Sequence, residues 1–176
     1  AVGYSLMSFI MTATPLQIVN VCKLGDSASA TVIQWHVIAM FAPSFFTGTI
    51  INSLGNRKVM MIGLFLYAFS ISFTIIGQTI EHFWIALFLC GLGWNFLYVG
   101  GSDIIAKSAL PEERAKVQGV TDFIIFVFVA KGSFLAGALH STLGWEIMMF
   151  YTSIPILILF MSIIIIKPDG WIKARY

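Results

Sequence analysis

Gly48-Thr49-Ile50-Ile51-Asn52-Ser53-Leu54-Gly55-Asn56-Arg57-Lys58 is the stretch from which the rest of this chain is read. A small residue stands near a helix end, a glycine follows, and a basic pair closes the segment. Gly55 permits a tight turn, and Arg57 and Lys58 complement a helix C-terminus while anchoring at a headgroup layer. Apolar sequence lies on either side, residues 30–52 and 59–78, each long enough to cross a hydrocarbon core of about 30 Å. The segment reads as a hairpin between two membrane-spanning helices.

The same pattern extends along all 176 residues. Hydrophobic residues make up 59% of the chain and charged residues 10%, against about 25% charged in a soluble domain. An ordinary soluble domain is excluded, and a net charge of +2 is too small to indicate nucleic acid. Six spans are expected, at residues 2–21, 30–52, 59–78, 83–106, 120–140 and 147–166. Together they form an all-α membrane bundle with no length left for a soluble domain. Barrel strands are disfavoured, because the apolar runs far exceed about ten residues and show no alternation. The third and sixth spans are the most uniformly apolar and are expected to face lipid. The first, second, fourth and fifth carry polar residues that must face protein or a watery cavity.

Cys22 and Cys90 fall at depths about 10 Å apart, so no disulfide is expected. His36, His82 and His140 are scattered, so no metal site is expected, and no cofactor. The chain opens at Ala1 and enters apolar sequence at once, without a basic n-region or cleavage signature. An N-terminally truncated fragment is therefore expected.

Basic residues orient the bundle. Arg57 and Lys58, then Lys107, Arg114 and Lys116, then Lys167, Lys173 and Arg175 collect on one face; the other face holds Lys23, and Lys131 lies inside a span. The positive-inside rule makes the basic face cytoplasmic, with both termini on it and His82 and Glu146 outside.

The opening stretch resembles the signature of the major facilitator superfamily, G-x-x-x-D-R-x-G-R-[RK]-[RK], found between the second and third helices of each six-helix half. Gly48, Gly55 and the pair Arg57-Lys58 match; Asn52, Ser53 and Asn56 depart from the family's Asp, Arg and Arg. Such decay is usual in the second copy, so the resemblance implies the C-terminal half, helices seven to twelve. Pro111-Glu112-Glu113-Arg114-Ala115-Lys116-Val117-Gln118-Gly119 resembles the family's P-E-x-R-x-x-x-x-G connection between the fourth and fifth helices. Pro111 suits a first helical turn and the glutamates its positive end. Residues 11–17 and 34–48 are similar to bacterial permeases that include riboflavin uptake proteins. The resemblance implies a secondary transporter of the bacterial inner membrane. It would move a small solute by alternating access, with a missing N-terminal half completing the site and a proton as a coupling partner. By the same resemblance Asp103 and Arg57 are gate residues, with Gly48, Asn52, Gly55, Lys58 and Arg114 in the gating motifs.

Site residues follow from depth and chemistry. Lys131 stands about 16 Å along its helix from the cytoplasmic side, too deep to snorkel easily. Asp122, nine positions away, points about 180° around the helix. One reading is a cavity-facing cation that binds an anionic substrate group or exchanges a proton; the other is a fixed pair with an acid in the missing half. Trp94, Asn95 and Tyr98 lie about a turn apart and suit a flat heterocycle or aromatic acid, or else ordinary packing beside Gly91, Gly93, Gly100 and Gly101. Gln34 and His36 lie above Pro43, a kink position, and His36 reads either as a proton-coupling group or as a hydrogen-bonded structural histidine. Thr12, Thr14 and Gln17 are cavity groups or, for the threonines, bonded back to their own helix.

Two other classes compete. A six-helix scaffold or homodimeric half-transporter shares the composition. An intramembrane hydrolase needs a Ser and a His brought together, and neither Gly101-Ser102-Asp103 nor the surroundings of His36 and His140 supply that.

Overall fold

The computed structural model describes residues 1–166, which are helical with no strand among them. Lys167, Lys173 and Arg175, assigned above to the basic face, lie outside the described residues.

Helix α1 covers Val2–Leu16. Pro15 removes one N–H from its hydrogen-bond ladder, and the chain continues as a wider π turn over Gln17–Val21, where the Cys22 N–H donates to the Gln17 carbonyl at 2.9 Å. The second span is broken: α2 (Asp26–Phe41) and α3 (Ser44–Leu54) meet at Pro43 with a 45° bend. The remaining helices are α4 (Asn56–Ile76), α5 (Ile80–Ser108), α6 (Arg114–Leu143) and α7 (Trp145–Ile166). Five single helices and the bent pair are long and apolar enough for up to six crossings.

The helices run past their apolar windows, so the connections are shorter than the sequence predicts. Backbone hydrogen bonding continues into the interfacial layer, where polar side chains are tolerated. Between α3 and α4 the turn is Gly55 alone, at φ 83°, a geometry that favours glycine. Arg57 and Lys58 therefore lie in the first turn of α4 instead of behind the end of α3. Pro111, Glu112 and Glu113 form a turn before α6 begins, so they do not occupy its first turn as expected. Ala109 has already left helical geometry, as suits a chain approaching proline.

Helix α5 is the hub, packed chiefly on α4 and α2, while α6 packs on α1 and α7 on α4. Small residues bring α4 and α5 together. A Cβ added at Gly63 would lie 2.9 Å from the Gly93 carbonyl oxygen, and one at Gly93 would lie 2.8 Å from that of Gly63. Gly91 likewise admits the His36 carbonyl of α2, but Gly101, expected to share this role, has nothing within 4 Å. The seam is reinforced by Ser70, whose hydroxyl donates to the Ala86 carbonyl at 2.7 Å.

The lipid-facing expectation for the third span needs correction. Helix α4 turns Phe65, Phe69 and Ile76 outward, but buries Leu64, Tyr67, Ser70, Ile71 and Thr74. These recur at helical spacing, so one stripe seals against the bundle while the other is exposed.

Candidate functional site

Four helices bring aromatic side chains to one place. Trp94 and Tyr98, one turn apart on α5, stack with ring centroids 4.9 Å apart and planes 10° from parallel. Tyr4 of α1 meets both edge-on, at 4.9 Å from Trp94 and 5.6 Å from Tyr98. Phe41, the last residue of α2, lies 5.9 Å from Trp94, and Phe126 of α6 lies 6.5 Å from Tyr4. Counted at about 1.5 Å per residue, Trp94 and Tyr98 stand about 21 and 27 Å from the start of α5, which is about 43 Å long over its 29 residues. The cluster therefore lies in the middle third of α5. Phe41 and Phe126 are exposed, Tyr4 and Tyr98 half-buried, and Trp94 is 4% exposed. The Trp94 Nε1 is buried without a hydrogen-bond partner. The cluster is thus a stacking surface with an unsatisfied donor beneath it.

Asn95 belongs to the scaffold behind that surface. Fully buried, it donates through Nδ2 to the Met40 carbonyl at 2.7 Å and the Ser44 hydroxyl at 2.6 Å. Thr47 Oγ1 reaches both Asn95 Oδ1 at 2.6 Å and the Pro43 carbonyl at 2.8 Å. The break at Pro43 takes a backbone carbonyl out of the helical ladder, and in a membrane a neighbouring side chain must satisfy it. Asn95 does this from α5 and places Phe41 beside Trp94.

His36 also serves packing. It is fully buried, with Nδ1 donating to the Leu87 carbonyl at 2.7 Å and Nε2 3.4 Å from Met7 Sδ. Gln34 is exposed on α2, Thr12 is half-buried on α1, and Thr14 bonds back to Ile10. Gln17 sits away from the aromatic cluster. Its Nε2 donates to Gln78 Oε1 at 2.7 Å, and its Oε1 accepts from His140 Nε2 at 2.9 Å. That network ties α1, the α4–α5 connection and α6 together at their common end.

Lys131 does not join the aromatic surface. It is exposed and lines a separate groove between α1, α6 and α7. Phe126 and Lys131 are five positions apart, about 140° around the helix, so α6 presents one to each side.

At the basic end, the expected Asp103–Arg57 pair is absent from the structure. Asp103 Oδ2 accepts from Asn56 Nδ2 at 2.8 Å and from Lys107 Nζ at 2.6 Å. Arg57 instead donates to the Ile164 carbonyl at 3.3 Å, near the C-terminal end of α7, and its Nε has no partner. The cause is rotation: with helix starting at Asn56, that residue faces α5, while Arg57, about 100° further round, meets the Ile164 carbonyl of α7. Asn52, Lys58 and Arg114 are exposed, and Gly48 has nothing within 4 Å.

Reading the sequence missed Tyr4, Phe41 and Phe126, because three helices contribute one ring each and no single segment shows the pattern. Ser44 and Thr47 were missed for the same reason, although a Ser and a Thr directly after Pro43 signal a patched helix break.

The sequence model of the family described as Major Facilitator Superfamily matches residues 1–173. The riboflavin transporter RfnT of Brucella anthropi is 45% identical over 169 residues, 96% of this chain and 42% of that protein. Two uncharacterized MFS-type transporters of Bacillus subtilis are also similar. YdeG is 37% identical over 137 residues, 75% of this chain and 31% of that protein. YddS is 33% identical over 134 residues, 75% of this chain and 30% of that protein. The chain thus spans less than half the length of these relatives.

Proposed function

The chain belongs to the major facilitator superfamily, and from that premise we propose that it supplies the C-terminal half of a transporter that carries a flat heteroaromatic solute of the riboflavin kind by alternating access. The observation that carries this reading is the convergence of Tyr4, Phe41, Trp94, Tyr98 and Phe126 from four helices. Stacked rings hold a planar conjugated ring system through its faces. A buried donor such as Trp94 Nε1 favours a ligand that offers an acceptor to it. The similarity to a riboflavin transporter supports the same class of solute.

An N-terminal six-helix half completes the pathway, and the broken second span bends as the halves rock. The protein resides in the bacterial inner membrane with the Arg57–Lys58 turn cytoplasmic. Cysteines replacing Glu81 and Glu146 should then react with a membrane-impermeant reagent in intact cells while one replacing Glu113 stays protected; the reverse pattern inverts the orientation.

The deciding experiment is uptake of labelled riboflavin by riboflavin-auxotrophic cells expressing the complete coding sequence. Uptake should appear with the wild type and fall by about tenfold or more in Tyr98→Ala, since base-stacking contacts of this kind are worth about 1–3 kcal/mol each. Repeating it with and without an imposed pH gradient tests proton coupling. Absence of uptake of any flat heteroaromatic vitamin would overturn the reading.

A further inference from the structure

The groove on the other side of α6 has the shape and charge of a second site. It is a cavity of about 420 Å³ between α1, α6 and α7, within the range of about 300–1,000 Å³ typical of small-molecule sites. Its walls are apolar, with Phe9 on α1, Leu135 and Leu139 on α6, and Met148 on α7, and Lys131 is its single charged side chain.

One wall is rigid. A Cβ at Gly132, next to Lys131, would fall 2.6 Å from Ser5 Oγ, and Ser5 donates to the Phe128 carbonyl at 2.9 Å. Ser8 and Ser133 hydroxyls add a 2.6 Å contact to the same α1–α6 seam. The other wall, α7, packs mainly on α4 and touches α6 sparsely, which leaves the groove open between them.

Among the described residues no anion answers Lys131. Among the described residues the only ion pair is Lys107–Asp103. Helix α1 carries no acid, and the only acid of α7 is Glu146 in its first turn, about 16 Å along the helices from Lys131. Asp122 lies on the far side of α6 and accepts from Gln118 at 2.9 Å. An ammonium at this depth calls for a compensating negative charge.

We propose that this groove binds an apolar monocarboxylic acid of the fatty-acid class, its carboxylate on Lys131 and its hydrocarbon along Leu135, Leu139 and Leu143. From Lys131 to Leu143 the wall runs about 18 Å and is lined by leucine at every turn. A phospholipid fits less well. Its phosphate is tethered at the interface, about 15 Å from the midplane of a 30 Å core, whereas a single-chain acid has no such tether. The ammonium–carboxylate pair is neutral as a whole, which removes much of the cost of a lone charge in hydrocarbon. The site goes beyond the aromatic surface and does not depend on it, because α6 presents the two to opposite sides.

The test uses the full-length transporter in nanodiscs with cis-parinaric acid as the fluorescent probe. The wild type should bind it saturably. Dodecanoic acid should displace it, and methyl dodecanoate, which keeps the chain and lacks the charge, should not. Lys131→Met should weaken binding by about tenfold or more, the usual consequence of removing one partner of a desolvated charge pair. Leu139→Trp, which fills the groove and leaves the lysine, should do the same. Folding of each variant is checked by monodispersity and by thermal unfolding against the wild type. Wild-type affinity in Lys131→Met, equal displacement by the ester, or no saturable binding to the wild type would overturn the proposal; the last result would assign Lys131 to an acid elsewhere in the polypeptide.

Discussion

Helices α4 and α7 have almost the same mean hydropathy, 2.2 and 2.3, yet they pack in different ways. Along α4 the residues Gly63, Tyr67, Ser70 and Thr74 form one stripe. Gly63 lets the α5 backbone approach, Ser70 donates to α5, and the Tyr67 hydroxyl donates to the Gly3 carbonyl of α1 at 2.8 Å. Helix α7 is largely Ile, Leu, Met and Phe, and between it and α6 lies a groove instead of a seam. Lipid tails are as apolar as leucine, so apolar character alone does not hold helices together in a bilayer. Small residues and internal hydrogen bonds do, and their placement separates the sealed side of this bundle from the open one.

The sharpest way to break the comparison is Gly93→Leu. Its side chain would have to enter the space of the Gly63 carbonyl, 2.8 Å from the Cβ, and the full-length protein should lose about 3 kcal/mol or more, or fail to accumulate. Thermal unfolding followed by fluorescence measures this, with Gly137→Ala as the contrast, since a Cβ there has nothing within 4 Å. Equal losses in the two variants would mean that the close approach of α4 and α5 is not what stabilises the seam.

Next in size is Asn95→Leu. It leaves the Met40 carbonyl and the Ser44 and Thr47 hydroxyls without their partner on α5, and should cost about 1–3 kcal/mol, the penalty for stranded buried polar groups. Because Asn95 also sets the bend that carries Phe41, solute affinity should fall with stability. A loss of affinity at unchanged stability would instead make Asn95 a direct ligand.

A smaller effect separates the two partners proposed for Asp103. In double-mutant cycles read by thermal stability, Asp103→Asn and Asn56→Ala should couple by about 0.5–1 kcal/mol, while Asp103→Asn and Arg57→Gln should add to within about 0.5 kcal/mol. Strong coupling in the second cycle would show a latch that forms in another conformation of the protein. The smallest effect belongs to the open side: Ile158→Ala, at a side chain 60% exposed, should change stability by no more than about 0.5 kcal/mol.

The family signature around Gly55, the six apolar stretches and the kink at Pro43 were all legible in the sequence, because each depends on residues close together in the chain. His36 and Asn95 were legible as polar residues needing partners, but the partners were not. Leu87 lies 51 residues from His36 and Met40 lies 55 from Asn95, and periodicity says nothing about which helix meets which. The aromatic surface was half visible, as Trp94 and Tyr98 on one helix, and its other three rings arrive from elsewhere.

What the sequence alone determined is therefore the membrane, the apolar stretches long enough to cross it and the superfamily. Hydropathy, turn residues and short motifs are local quantities that survive without coordinates. The tertiary structure decided which side of each helix matters. A rotation of about 100° per residue sends Asn56 to Asp103 and Arg57 to the end of α7. Similarly, five positions on α6 separate a ring in the aromatic cluster from a lysine in the groove behind it. Such angular choices are made by close contact between particular small and polar side chains of distant segments, and those contacts exist only once the helices have packed.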